Sequence, residues 1–195
     1  MKTTKTIDRI RIGFSKLYQT KKWENITISE LCQYTGLSRA TFYTYYENIE
    51  CLLDEIESMV LEDISNILDS WRYLDLAHWD DKVPAPVYID IYRYVVANKE
   101  IFKAVFGEFG DVRFVDQYPD IDMKYFLHIA RTSSTITKDH ELIAAMCSGS
   151  IFGLGRIWIQ NMSLASVEDL ALLNTRVVNG IIFRFNYSGA QSSEP

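Results

Sequence analysis

Residues 26–53 read I-T-I-S-E-L-C-Q-Y-T-G-L-S-R-A-T-F-Y-T-Y-Y-E-N-I-E-C-L-L. Thr27 with Glu30 three positions on is a capping box, which opens a helix by satisfying orphan amides reciprocally. Ile28, Leu31 and Cys32 give that short helix a buried stripe, and Gly36 suits the left-handed conformation that closes it. Ser38 is an N-cap for a further short helix, Arg39 to about Tyr45. Phe42 points inward from it, and small Ala40 permits close approach from outside. Helix, glycine turn and a second helix with an Arg- and hydroxyl-rich outer face is helix-turn-helix geometry.

The side chains on that outer face suit DNA. Arg39 can donate two hydrogen bonds to guanine O6 and N7. Thr41 and Thr44 can meet bases, thymine methyls or phosphates, and Tyr43 and Tyr45 can donate to phosphates. Free amides at the helix starting at Thr27, and at the one starting near Asn48, are further anion sites.

Outward from this unit, helical periodicity dominates. Ile7, Ile10, Phe14 and Leu17 share one face of a first helix over about residues 4–20. Ile49 to Trp71 keeps apolar residues at helical spacing for six turns, which predicts one long helix. Residues 75–86 hold Pro84, Pro86 and three Asp and form a breaker-rich connection. Val87–Ala97 is apolar on nearly every side, predicting a helix buried all round. A short helix follows over 100–106. Residues 111–132 are helical with an interruption at Pro119, and 138–160 and 167–185 are two long terminal helices. The expected class is all-α with about nine helices: a helix-turn-helix domain over 1–48, a helical ligand-binding and dimerisation domain over 49–187, and a disordered tail over 188–195.

Residues 7–53 resemble the N-terminal domain of the TetR/AcrR family of bacterial transcription regulators. The likeness runs through Ile7, Phe14 and Leu17, then Ile26-Thr27-Ile28, Leu31-Cys32 and Thr35-Gly36-Leu37-Ser38. It continues in Arg39-Ala40-Thr41-Phe42-Tyr43, Tyr45-Tyr46 and Asn48 to Leu52-Leu53, about a quarter of the chain. The resemblance implies a homodimeric regulator, most often a repressor, that binds an inverted-repeat operator in double-stranded DNA. It places Thr27 and Tyr43 on phosphates, Ser38, Arg39 and Thr41 in or beside the major groove, and Ala40, Thr44 and Tyr45 close by. It also implies that the two terminal helices form a four-helix dimer interface. The candidates there are Gly149, Gly153 and Trp158 on one helix and Leu170, Leu173, Val177 and Ile181 on the other; packing within one chain explains the glycines equally. Many members carry Lys where this chain has Ile49, so one cationic phosphate contact is missing.

The chain has 195 residues, 48% hydrophobic and 24% charged, with 9 Gly and 4 Pro. That excludes a disordered chain, a collagen-like fibre and a disulfide miniprotein. Its net charge of −6 argues against a nucleic-acid partner until it is divided. Residues 1–53 hold eight basic and five acidic side chains, a charge of +3, and the rest carries −9. The basic charge lies with the helix-turn-helix.

Cys32, Cys51 and Cys147 are too far apart for a zinc ribbon or disulfide framework. A polar start and the lack of a long uninterrupted apolar run lead to the expectation of a cytoplasmic protein with no membrane span. The aromatics between Tyr88 and Trp158 suit a cavity for a hydrophobic or aromatic effector, with no ligand residue singled out. His78, His128 and His140 fit no catalytic motif. Asp111, Asp116, Asp120 and Asp122 read as a solvated acidic face, so no metal, cofactor or catalytic residue is expected. Two alternatives stay open: a helical ligand-binding or enzymatic domain that no longer engages DNA, and an activator that answers to a protein partner.

Overall fold

The computed structural model describes residues 2–133, 136 and 138–187; the expected tail at 188–195 lies outside them. Nine α-helices make up the described chain, with no strand among those residues. They are α1 (Lys2–Tyr18), α2 (Ile28–Thr35), α3 (Arg39–Tyr43), α4 (Ile49–Ser70), α5 (Pro86–Ala97), α6 (Lys99–Val105), α7 (Val112–Thr132), α8 (His140–Gln160) and α9 (Val167–Tyr187). The all-α class follows from the sequence, where 3.6-residue periodicity runs almost unbroken and glycine and proline are sparse.

Packing divides the chain into two compact units that do not follow a boundary at residue 48. The first joins Met1–Glu62 to Asn98–Asp116, and the second joins Asp63–Ala97 to Gln117–Pro195.

The first unit is organised by α1, which packs against both α2 and α6. Its apolar stripe of Ile10, Phe14 and Tyr18 is fully buried, as are Ile101, Phe102, Ala104 and Val105 of α6. The Gln19 amide fastens α1 to α6 by donating to the Glu100 carbonyl and carboxylate, each at 3.1 Å. On the α2 side the helices close over Gly13. A Cβ there would stand 2.3 Å from Thr35 Cγ2, well inside van der Waals contact. Thr35 is itself fixed, its hydroxyl donating to the Leu31 carbonyl at 2.7 Å.

In the second unit α9 packs on α5 and α8. It also pins the breaker-rich connection: Thr175 Oγ1 accepts from the Ala85 amide, Arg176 donates to the Asp81 carbonyl, and Asn179 donates to the Trp79 carbonyl. Two expectations are corrected here. The helix α7 runs through Pro119 without interruption. A proline removes one donor and crowds one turn, and neighbouring packing can absorb that; Ser148 of α8 donates to the Pro119 carbonyl at 3.1 Å. The helix α5 is not buried all round, since Arg93, Val96 and Ala97 face solvent. By length and composition α8 alone among the described helices passes for a membrane-spanning helix, as an apolar core helix also does. One side of it packs in this unit through Ile143, Ala144, Cys147, Ile151, Trp158 and Ile159.

A Gly13→Ala variant is expected to lose about 1–3 kcal/mol in chemical denaturation, because the added methyl overpacks the α1–α2 contact. Thr35→Ser removes the opposing methyl and keeps the hydroxyl, so the double variant should recover most of that loss. Additive losses would show that the contact is not the cause.

Candidate nucleic-acid interface

The helix-turn-helix is fixed by local hydrogen bonds that the sequence specifies. Thr27 caps α2, its Oγ1 accepting from the Glu30 amide at 3.2 Å. The reciprocal half of the expected capping box is absent. The Glu30 carboxylate turns instead to Lys21 Nζ, 2.6 Å away, because a full cation is a stronger partner than a backbone amide. Gly36 takes φ +64 and sends its amide back to the Cys32 and Gln33 carbonyls. A Cβ there would approach the Arg9 guanidinium at 2.9 Å. Ser38 then caps α3, accepting from the Thr41 amide at 3.0 Å.

With five residues, α3 is too short to stand alone, and Phe42 anchors it. Phe42 is buried and its ring lies 5.7 Å from that of Tyr46. The Tyr46 hydroxyl donates to Glu55 at 2.7 Å, and Glu55 also pairs with Arg11 of α1 at 2.5 Å. Recognition helix, α4 and α1 are thus tied by one carboxylate.

Anchoring one side leaves the other in water. Ser38, Arg39, Ala40, Tyr43 and Thr44 are exposed, Thr41 and Tyr45 are half-buried, and Thr27 is exposed at the α2 start. Arg39 and Tyr43 stand one turn apart, and the guanidinium reaches the Tyr43 hydroxyl at 3.4 Å. That bond holds the Arg39 pKa above its ordinary value. The Thr44 hydroxyl is engaged with the Ala40 carbonyl, and that of Thr41 with Ser38 Oγ. With its proton given to Ala40, the Thr44 hydroxyl can still accept from a base, and its methyl stays available for a thymine methyl. Ile49 is buried in the unit, so the residue standing where many relatives carry Lys serves the core. Asn48 Oδ1 accepts from the Cys51 amide at 2.8 Å, so one of the amides expected to be free at the α4 start is occupied.

A family model described as a transcriptional regulator C-terminal region, of the TetR type, matches residues 83–180, half of the chain. The chain belongs to the TetR family of transcriptional regulators. No curated protein sequence matches it. Solved structures that share the fold include a TetR transcriptional regulator from Streptococcus agalactiae, at 17% identity over 91% of this chain and 95% of that one, with a TM-score of 0.58. Another is the dihydroxyacetone kinase operon activator DhaS, at 18% identity over 93% and 97%, with a TM-score of 0.53. A third is the TetR family repressor AlkX from a Dietzia strain, at 16% identity over 91% and 97%, with a TM-score of 0.50.

The other TetR-type site residues lie in the second unit. Gly149 and Gly153 are exposed, and a Cβ on either would meet nothing within 4 Å. Leu173 is exposed, and Val177 and Ile181 are half-buried. Trp158 and Leu170, the remaining interface candidates, are each only 2% exposed in the single chain. The Trp158 indole donates to the Ala165 carbonyl at 2.9 Å, and its ring meets Tyr92 edge-on. Exposed Leu142, Met146 and Ile157 continue the Gly149–Gly153 face of α8. Their 4-3-4-4 spacing is legible in the sequence, and Trp158, one residue along from Ile157, lies on the buried side.

The aromatics expected to line one cavity divide between the units, with Phe102, Phe106 and Phe114 in the first and Tyr88, Tyr92, Tyr118 and Tyr125 in the second. The acidic-face expectation is corrected at Asp122, which is buried. Asp111 is partly buried and forked with Arg113 at 2.7 Å. No group of three or more His, Cys, Asp or Glu that could hold a metal occurs among the described residues.

Ser38→Ala should cost about 1 kcal/mol of stability by removing the α3 cap, while Ser38→Asn, which caps equally well, should cost little. Denaturation midpoints of the two variants decide whether the cap or the residue's identity matters.

Proposed function

We propose that this TetR family protein is a homodimeric, sequence-specific DNA-binding regulator, a repressor that reads an inverted-repeat operator and releases it when a small molecule occupies the second unit. The observation that carries the reading is α3 itself. It is a one-and-a-half-turn helix held by a cap at each side of the turn and by one buried aromatic, and it presents Arg39, Ala40 and Tyr43 to solvent. Structure spent on so short a helix makes sense when its outer face has a partner. An Arg with an adjacent phenol, next to a small residue, is the chemistry of guanine and phosphate contact in a major groove.

The charge supports the same partner, since residues 1–53 carry +3 within a chain of −6. Thr27, Ser38, Arg39, Ala40, Thr41, Tyr43, Thr44 and Tyr45 form the proposed contact set, and 1–48 is the DNA-reading part. The part over 49–187 is proposed to bind the effector and to dimerise. The exposed apolar and glycine stripe Leu142, Met146, Gly149, Gly153 and Ile157 of α8, with Leu173, Val177 and Ile181 of α9, is the proposed self-association face. A regulator of this kind works in the cytoplasm beside its operator, and no catalytic role is assigned to any residue.

Arg39→Ala is expected to weaken binding to the selected operator by about tenfold or more, while leaving binding to random duplex nearly unchanged, as loss of a bidentate base contact does. A gel-shift titration of both duplexes measures this, and equal loss on both would make Arg39 a phosphate contact instead. Gly153→Glu tests assembly. The side chain enters open space in one chain, so folding should persist, whereas a charge in the dimer face should give a monomer by light scattering. A dimer of unchanged mass would remove α8 from the interface.

A further inference from the structure

Between the C-terminal end of α4 and the helix α7, the second unit has a cleft of about 210 Å³. Leu68, Ile121 and Tyr125 are its apolar lining. Leu68 and Tyr125 are buried, and the Tyr125 hydroxyl is committed to the Trp71 carbonyl at 3.3 Å. The charged lining is mostly basic. Arg72, Lys124 and His128 share the cleft with a single carboxylate, that of Asp69. A second cleft of about 290 Å³ also has Arg72 in its wall and continues beside Tyr73 and Ile129. Asp75 in that second cleft is occupied by the amide and a ring nitrogen of His78.

The cations of the first cleft are poorly matched within the chain. Arg72 gives one N–H to Asp69 at 3.0 Å, and both side chains are exposed. An exposed pair one turn apart contributes little, so the remaining guanidinium donors are open to a better acceptor. Lys124 forms no ion pair among the described residues. Two like charges lining so small a space repel, and an anion between them turns that repulsion into attraction. His128, its ring edge-on to Tyr73 with centroids 6.1 Å apart, adds a further N–H donor. Residues beyond 53 carry a charge of −9, so this is a basic spot on an acidic body.

Basic donors beside an apolar wall define an amphipathic guest. An Arg fork matches the two oxygens of a carboxylate, and Lys adds a point charge. An apolar cavity of about 150 Å³ holds benzene, so the first cleft has room for one ring and its substituent.

We propose that the cleft between the end of α4 and α7 binds a small lipophilic carboxylate, its oxygens held by Arg72 and Lys124 and its apolar body against Leu68, Ile121 and Tyr125. An amine of the same shape is repelled, and a neutral amide gains no charge-assisted bond. The assignment rests on the second unit being the effector-binding part of the regulator, and it gives that effector a chemical class.

The test uses the full chain without DNA and three probes of one shape: 4-ethylbenzoate, 4-ethylbenzamide and 4-ethylbenzylamine. Ligand-observed NMR titration should show the carboxylate binding about tenfold or more tighter than the amide, with the amine weakest. Arg72→Gln and Lys124→Gln should each weaken the carboxylate several-fold and leave the amide unchanged. Both side chains are exposed, so folding should persist, which thermal melts check. Lys124→Arg keeps the charge and should keep the preference. Lys82→Gln removes an exposed cation outside the cleft and should change nothing. Equal affinity for carboxylate and amide, a preference that survives the Arg72 and Lys124 changes together, or an equal loss in Lys82→Gln would overturn the proposal. Duplex binding is measured separately by gel shift. Carboxylate binding without any DNA binding would count against the regulator assignment while leaving the cleft's ligand class in place.

Discussion

The closeness of α1 to α2 at Gly13 is the constraint on which the DNA-facing geometry depends. With no side chain at Gly13, Thr35 can lie against the α1 backbone, and Thr35 is the last residue of α2 before the Gly36 turn. The direction in which α2 ends is therefore set by packing, and the left-handed Gly36 converts it into the direction in which α3 begins. Ser38 then starts α3 at once, and Phe42 locks its inner side. Each step leaves the next little freedom, which is how a five-residue helix holds a defined outer face. Entropy opposes such a helix in isolation.

The second unit shows the opposite economy. Its helices leave apolar residues and two bare glycines on the outside of α8, and they enclose Asp122, Tyr88 and Asn174 within. Each placement is unfavourable for a solitary, ligand-free domain: exposed leucines gain nothing from water, and buried acceptors lose it. The exposed face becomes reasonable when the unit has a second copy outside.

Much of the first unit was legible because its signals are local. Capping residues, one glycine turn and apolar spacing act within a few positions, and Thr27, Gly36, Ser38 and Phe42 all sit where those rules put them. What failed was competition. Glu30 was expected to close the capping box, but Lys21 is a better partner, and nothing in a four-residue motif reveals a cation nine positions upstream. Pro119 was expected to interrupt α7, yet tertiary packing carries the helix through. Trp158 and Ile157 are adjacent in sequence and point about 100° apart, so choosing between them required the helix phase relative to neighbours. Asp122 reads as one more aspartate in an acidic stretch, and its burial is tertiary, invisible to local sequence rules.

The first unit is also discontinuous: Asn98–Asp116 completes a body begun by Met1–Glu62, with the intervening residues assigned elsewhere. During synthesis the N-terminal helices must therefore wait for more than thirty further residues before α6 emerges to cover α1. Until then Phe14 and Tyr18 lack their cover, and the nascent chain carries an exposed apolar face through that interval. The unit cannot be cut out as a leading fragment, because its last wall is laid after the chain has entered the second unit. Chain order alone therefore delays the completion of the unit that carries the helix-turn-helix until α5 and α6 have been made.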